Sequence, residues 1–296
     1  MPLPNPLKSG VYPGITNAEY HGGPGVSKSQ LDDIARCPAI YSYRREHPEP
    51  DTASTIIGTA AHCLILEPEV FEPLFVCEPK DAPRKPNKTQ REAKKPSAAT
   101  VDAIAFWDAF YDEHAGKEII SVDQWHLIHA MRDSVYAQPK LRLLLERGQR
   151  EISGYGVDPD TGLLRRCRPD FLNENGVIVD LKTTDDASPS AFRRKIANYR
   201  YYVQDPYYRD TMTLATGEAP AGFMFLVVEK EPPHLCAGYN LVPEAIAVGR
   251  EEYRNDLRTL ARCLERDEWP GYSDKVEPID IPRWKYAEAD LMGIAA

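Results

Sequence analysis

From Val177 to Lys182 one set of alternate positions is wholly apolar and the other carries the charges. Val177, Val179 and Leu181 fall on one side and Ile178, Asp180 and Lys182 on the other, the period-two signature of a strand. This run closes a stretch, Glu151 to Thr184, that reads as three short strands joined by turns at Asp158-Pro159-Asp160-Thr161-Gly162 and Asn173-Glu174-Asn175-Gly176. Elsewhere the spacing is helical. Ser27 with Gln30 forms a capping box, and Leu31, Ile34 and Ala35 continue the helix until Pro38 stops it. Ile56, Ile57, Ala60, Ala61, Leu64 and Ile65 predict a buried helix over 55–67. One later helix carries Val101, Ile104, Ala105 and Trp107, and another opens on a second capping box, Ser121 with Gln124. Gln204 and Tyr208 share the face of a helix whose start is placed near Pro206, because proline belongs in a first turn. Gly222–Val228 is a continuous apolar run, as in a central strand covered on both faces. A strand over 235–241 and a long helix over 243–266 follow, while 1–25 and 269–296 read as irregular.

With 296 residues and 42% hydrophobic content, the chain can bury a full core, and it is read as a single soluble globular domain over 1–296. No apolar run reaches the roughly 18 residues needed to span a bilayer, and residues 1–25 lack the apolar core of a signal peptide. Six cysteines without any CxxC pair suit reduced thiols in a cytoplasm rather than disulfides or a zinc site. A net charge of −9 confines any nucleic-acid contact to local patches. Two stretches qualify. Residues 79–96 hold four prolines, seven Lys or Arg and two acids, the composition of a mobile basic loop suited to phosphate contact. Arg193, Arg194, Lys195, Tyr199, Arg200, Tyr201 and Tyr202 interleave cations with aromatics, which suits backbone and base contacts.

The candidate chemistry lies in the strands. Asp170 ends the strand before Asp180, so a hairpin sets two carboxylates and Lys182 together. Acids that close repel unless something positive sits between them, and oxygen ligands suit Mg²⁺ or Mn²⁺. His62, one helical turn from Gly58, is a plausible third ligand, although a lone histidine on an apolar helix is more often a core residue. The plain alternative for the strands is a hairpin with solvated charges. The helix start at Ser27, Lys28 and Ser29 reads either as a simple cap or as a phosphate site.

Pro169-Asp170 followed by Asp180-Leu181-Lys182, after a strand opening on Glu151, is the pattern of the PD-(D/E)xK nuclease superfamily. The wider sequence resembles the RecE (exonuclease VIII) C-terminal nuclease family across nearly the whole chain, through GVSKSQLDDIARCPAIY, GTAAHCLILEP, DPDTGLLRRCRPD, VDLKTT, YRYYVQDPYY and LRTLARCLERDEWP. The resemblance implies an α/β fold with a restriction-endonuclease-like core, a mixed central sheet flanked by helices. It implies degradation of linear double-stranded DNA from 5′ ends, leaving 3′ overhangs for a single-strand annealing protein of the RecT type. A ring-shaped homo-oligomer, with a tetramer favoured, and a cytoplasmic setting in a bacterium or phage host come with it.

Carried over by position, His62, Asp170 and Asp180 resemble the metal ligands, with the Leu181 carbonyl joining them. Lys182 resembles the catalytic lysine, Glu151 a supporting acid, and Gln204 with Tyr208 a QxxxY element. Ser27, Lys28, Ser29, Arg166, Arg168, Gln204 and Tyr208 are the expected DNA-facing residues. The implied cofactor is two Mg²⁺ about 4 Å apart, with Mn²⁺ able to substitute. In iron–sulfur relatives a Cys-Pro such as Cys37-Pro38 is joined by three closely spaced cysteines near the C-terminus. Here only Cys236 and Cys263 stand far downstream, so no cluster is expected. A structure-specific endonuclease of the same fold and a non-catalytic DNA-binding module are the competing readings.

Overall fold

A computed structural model describes residues 8–47, 53–283 and 285–286, so the expectations for 1–7, 284 and 287–296 lie outside the described residues. The lead-in is more ordered than its Pro/Gly composition predicts. It forms a strand, β1 (Gly10–Tyr12), and a helix, α1 (Asn17–Gly22), capped reciprocally by Thr16 and Glu19. The expected capping box of Ser27 and Gln30 opens α2 (Lys28–Arg36). Pro38 ends that helix and also starts the next, α3 (Pro38–Glu46), from a first-turn position where its missing N–H costs nothing.

The buried helix is α4 (Ala53–Leu66), followed by α5 (Pro68–Leu74) and β2 (Phe75–Cys77). The basic stretch holds a short helix, α6 (Lys88–Arg91), and is tied down rather than loose. Pro83 accepts the Trp107 indole N–H at 2.8 Å, and Lys85 pairs with Glu78 at 2.5 Å. Trp107 belongs to α7 (Ala98–Glu113), which buries Ala103, Trp107 and Phe110 and leaves Val101 and Ala105 exposed. Next come β3 (Glu118–Ile120), α8 (Val122–Ala137) and α9 (Pro139–Leu145). The pairing of β2 with β3 in parallel joins three-residue strands too short to show a period.

Glu151–Thr184 contains four strands rather than three, with one more just ahead of it. These are β4 (Gly148–Arg150), β5 (Ser153–Val157), β6 (Leu164–Cys167), β7 (Phe171–Asn173) and β8 (Val177–Thr184). The expected middle strand breaks at Pro169, which has no N–H for a ladder, and its halves join different sheets. The chain continues through α10 (Pro189–Asn198), α11 (Tyr201–Thr216), β9 (Gly222–Glu229), β10 (Cys236–Tyr239) and α12 (Pro243–Arg266).

The central sheet is mixed, in the order β10-β9-β8-β7-β4, with β8 and β9 parallel and the other pairs antiparallel. Beside it β1-β5-β6 form a small antiparallel sheet. The alternation along β8 is borne out in packing. Val179 and Leu181 join Leu226 and Val228 against α4 and α8, while Ile178 joins Phe223, Phe225 and Val227 against α10 and α11. Each such fully buried side chain contributes about 1.5–3 kcal/mol. A further layer of α2, α3 and α12 packs behind α11. Among the described residues no helix is long and apolar enough to cross a membrane.

α11 begins at Tyr201, so Pro206 lies a turn and a half inside it rather than at its start. Proline there leaves the Tyr202 carbonyl without its helical donor. Gly249 of α12 packs against that carbonyl so closely that an added Cβ would lie 1.9 Å from the oxygen. Glycine is what lets the two helices meet. Gly249→Ala should therefore cost about 3 kcal/mol or more, the upper end of overpacking. Gly271→Ala, with nothing within 4 Å, should be neutral. Thermal melts of both variants check this, and an unchanged midpoint for Gly249→Ala would contradict the close crossing.

Candidate active site

The site forms where β7 and β8 separate from the small sheet. The register pairs Phe171 with Val179, so Asp170 arrives level with Asp180. Its Oδ2 accepts the Leu181 N–H at 2.8 Å, a main-chain contribution from Leu181 in addition to the expected carbonyl. α4 brings His62 from the opposite side, with Nε2 3.1 Å from Asp170 Oδ2 and 3.5 Å from Glu151 Oε1. Glu151 sits in the β4–β5 connection with a left-handed backbone (φ 48°), strained for a residue other than glycine, and its N–H reaches the Asp170 carbonyl.

One donor atom each from His62, Glu151 and Asp170 lie within 4.8 Å of one another. Donors around a hard ion at roughly 2.1 Å stand about 3–4.2 Å apart, so one imidazole and two carboxylates at this spacing fit Mg²⁺ or Mn²⁺. Asp180 stands just behind them. It is only 1% exposed, with Oδ1 held by Gln204 Nε2 at 2.5 Å and Oδ2 2.5 Å from Lys182 Nζ. Of the expected ligands, His62 and Asp170 thus converge with Glu151, expected only as a support, while Asp180 faces Lys182 and Gln204.

Charge balance explains the arrangement. Burial alone would push the His62 imidazole down, but Asp170 and then Glu151 outweigh it and raise its pKa to about 9. Burial raises Asp170, and His62, Lys182 and the Leu181 N–H more than reverse this, holding it below the usual range. Asp180 is pushed up to about 6 by burial, against the pull of Lys182 and with a push from Asp170. Glu151 rises to about 7, again from burial, opposed by His62. Lys182 loses to burial but gains more from Asp180 and Asp170, so it remains an ammonium. Its Nζ also lies 4.8 Å from the Tyr201 ring centre. Gly58, His62, Glu151, Asp170, Lys182 and Tyr201 line one cleft of about 690 Å³. An added Cβ at Gly58 would meet only Thr183 Oγ1 at 3.9 Å, so this glycine leaves room beside His62.

Most residues expected to face DNA are turned inward. Arg166, 3% exposed, donates to the carbonyls of Tyr20, His21 and Gly23, closing the C-terminal end of α1. Arg168 is buried against Ser153 Oγ, the Ile15 carbonyl and the Tyr20 ring, 3.9 Å from Glu151. Both share one face of the β6 segment, and the helix that covers this face could not be seen in the Pro/Gly-rich lead-in. Gln204 is committed to Asp180, and Tyr208 packs edge-on against Phe223. Lys28 is buried too, its Nζ donating to the Tyr199 carbonyl and pairing with Asp32, both at 2.7 Å. Ser27 is used as a helix cap, and only Ser29 of this group is exposed. Sequence reading missed Tyr201 as a wall of the cleft. Its position one turn before Gln204 is the signal that could have found it.

A family model described as a PDDEXK-like domain of unknown function (DUF3799) matches residues 27–282. The fold is similar to the crystal structure of a protein from Eubacterium rectale that carries the provisional name exonuclease, with a TM-score of 0.56 and 12% identity over 94% of this chain and 96% of that one. An alkaline exonuclease from Laribacter hongkongensis (LHK-Exo) aligns with a TM-score of 0.27 and 15% identity, covering 60% of this chain and 89% of its own. No curated protein sequence matches.

The donor set makes a direct prediction for Mn²⁺ titrated by electron paramagnetic resonance. Asp170→Asn, which removes charge but little volume, should weaken binding by at least about tenfold. Gln204→Leu acts one step removed through Asp180, and should fall within the roughly 10–100-fold loss typical of outer partners. Binding unchanged in Asp170→Asn would remove this cluster from consideration as a metal site.

Proposed function

This chain belongs to the PDDEXK-like domain family matched over residues 27–282, and from that premise we propose that it is a divalent-metal-dependent exodeoxyribonuclease acting on linear double-stranded DNA. The observation that carries the reading is the meeting of His62, Glu151 and Asp170 beside the Asp180–Lys182 pair in one cleft. Degradation from 5′ ends, leaving 3′ overhangs for recombination by strand annealing, is supported by the sequence resemblance alone. So are the ring-shaped homo-oligomer and an annealing partner of the RecT type.

A bound divalent ion would supply activation of water and stabilisation of charge on the phosphate, held by His62, Glu151 and Asp170 with Asp180 adjacent. The side chains around it have separable tasks. Asp170 is oriented by the Leu181 N–H, and Asp180 by Gln204. Lys182, kept as an ammonium by two carboxylates, is suited to orient the attacking water and offset charge on the phosphate rather than to accept a proton. Glu151, raised by burial, belongs to the donor set and would give up its proton to hold the ion.

The test uses linear duplexes labelled at one 5′ end and closed circular duplexes labelled internally, with Mg²⁺ or EDTA. Linear DNA should be degraded from the labelled end only with Mg²⁺, and circular DNA should survive. Cutting of circles would favour a structure-specific endonuclease, and activity in EDTA would end the metal reading. In the same assay Lys182→Ala should lower single-turnover rate by about 10²–10³-fold while DNA affinity stays near wild type, since its task lies in the transition state. Affinity falling in step with rate would contradict that role.

A further inference from the structure

Tyr199 is a large aromatic residue with 58% of its surface open, and it is held in place rather than left to swing. Its ring stacks on Tyr201, with centroids 5.5 Å apart and planes at 23°. Tyr201 stacks in turn on Phe225 of the central sheet at 5.7 Å and lies near Phe192 of α10 at 6.1 Å. An aromatic column therefore starts in the core beneath β9 and ends in solvent at Tyr199.

The backbone under that outer end is also fixed. Lys28 Nζ donates to the Tyr199 carbonyl, and the next residue, Arg200, adopts a left-handed conformation (φ 51°) that a side-chain-bearing residue avoids without compensation. The compensation is visible. The Arg200 guanidinium donates to Asp32 of α2 at 3.0 Å and to Glu252 and Asp256 of α12 at 3.1 and 2.7 Å. Three carboxylates from two helices pin the turn between α10 and α11, so Tyr199 is presented at a set place.

That place matters because Tyr201, the middle of the column, forms a wall of the catalytic cleft and touches Lys182. Tyr199 lines the neighbouring cleft of about 640 Å³, whose charged walls are Asp32, Asp33, Glu252 and Asp256 against Arg36, Arg44 and Arg200. The two rings stand between the clefts, one ring removed from the lysine assigned to the phosphate. A single exposed tyrosine needs no explanation. A stacked, backbone-pinned one, resting on the tyrosine that walls a cleft suited to a nucleic-acid phosphate, does.

Resting on the nuclease reading above, we propose that the outer face of Tyr199 is a stacking platform for one unpaired nucleobase of the DNA strand being cut. Every base has a π-face, so such a platform binds without regard to sequence. A base inside a duplex has both faces taken by its neighbours, so the occupant is a base freed from its pair at or next to the strand end. Holding that base keeps the strand in register while its phosphate lies over Lys182, and the preference it creates is for frayed or unpaired ends.

The experiment couples the ring to a base. Full-length wild type, Tyr199→Ala and Tyr199→Phe are titrated in Ca²⁺ with end-labelled duplexes carrying one abasic residue at successive positions from the 5′ end. Mg²⁺ cleavage of the unmodified duplex is run alongside. Wild type should lose roughly 5–100-fold in affinity at one position, as expected for removal of one base–aromatic stack. Tyr199→Ala should show that loss on intact DNA and no further loss at that abasic position, and Tyr199→Phe should behave as wild type. The proposal fails if Tyr199→Ala binds every duplex as wild type does, or if it loses affinity equally at all positions including the abasic one. In either case continued Mg²⁺ cleavage by wild type leaves the nuclease reading standing, whereas no cleavage and no binding by wild type would overturn both.

Discussion

Glu151, Asp170 and Asp180 bring three carboxylates to one end of the central sheet, where they repel one another and have lost much of their water. Their protonation shows the tension. Burial pushes Asp180 and Glu151 up, and Asp170 stays charged because a raised His62 and Lys182 stand against it. In this state two side-chain cations do what a bound divalent ion could do better, since an ion meets several oxygens at once. A fold with no use for such an ion would be more stable with fewer of these acids, because buried like charges rarely repay their desolvation. The cluster is thus the feature on which the functional reading depends.

The rest of the structure keeps those groups from moving apart. Asp170 is fixed by a main-chain amide of β8, and Asp180 by Gln204 of α11. α11 in turn is held by the close contact of Gly249 with the Tyr202 carbonyl and by the carboxylates gathered on Arg200. On the other side Arg166 and Arg168 tie α1 to the β6 segment, next to the strained turn that delivers Glu151. Arg166 and Arg168, expected to face DNA, are by position part of the bracing of the site.

The legible parts of the sequence were those governed by local pattern. The alternation in β8, the turns at Asp158 and Asn173, the cap at Ser27 and the apolar face of α4 each depend on neighbours within a few residues, and each is found in the fold. What the pattern hid was long-range. The lead-in is a strand and a helix because β5 and Arg166 supply partners from far along the chain. The split of the middle strand at Pro169 was readable in principle, but the departure of its halves to two sheets was not. Pro206 misled because tertiary packing overrides the preference of proline for a first turn: it sits inside α11, and the Tyr202 carbonyl it frees from its helical donor faces Gly249 of another helix. For the site, spacing brought Asp170, Asp180 and Lys182 together, and His62 was reached from its place one turn from Gly58 and again by resemblance. The nearer engagement of Glu151, and the inward turn of Arg166, Arg168 and Lys28, required the third dimension.

The most direct measurement of the central claim is anomalous diffraction from crystals soaked in Mn²⁺ at near-neutral pH. An anomalous peak bonded to His62 Nε2 and to carboxylate oxygens of Glu151 and Asp170, at the roughly 2.0–2.2 Å expected of a small hard cation, is the predicted result. The absence of any peak there at full Mn²⁺ saturation, with His62 still paired to Asp170, would show that the cluster is held together by its own cations and is not a metal centre.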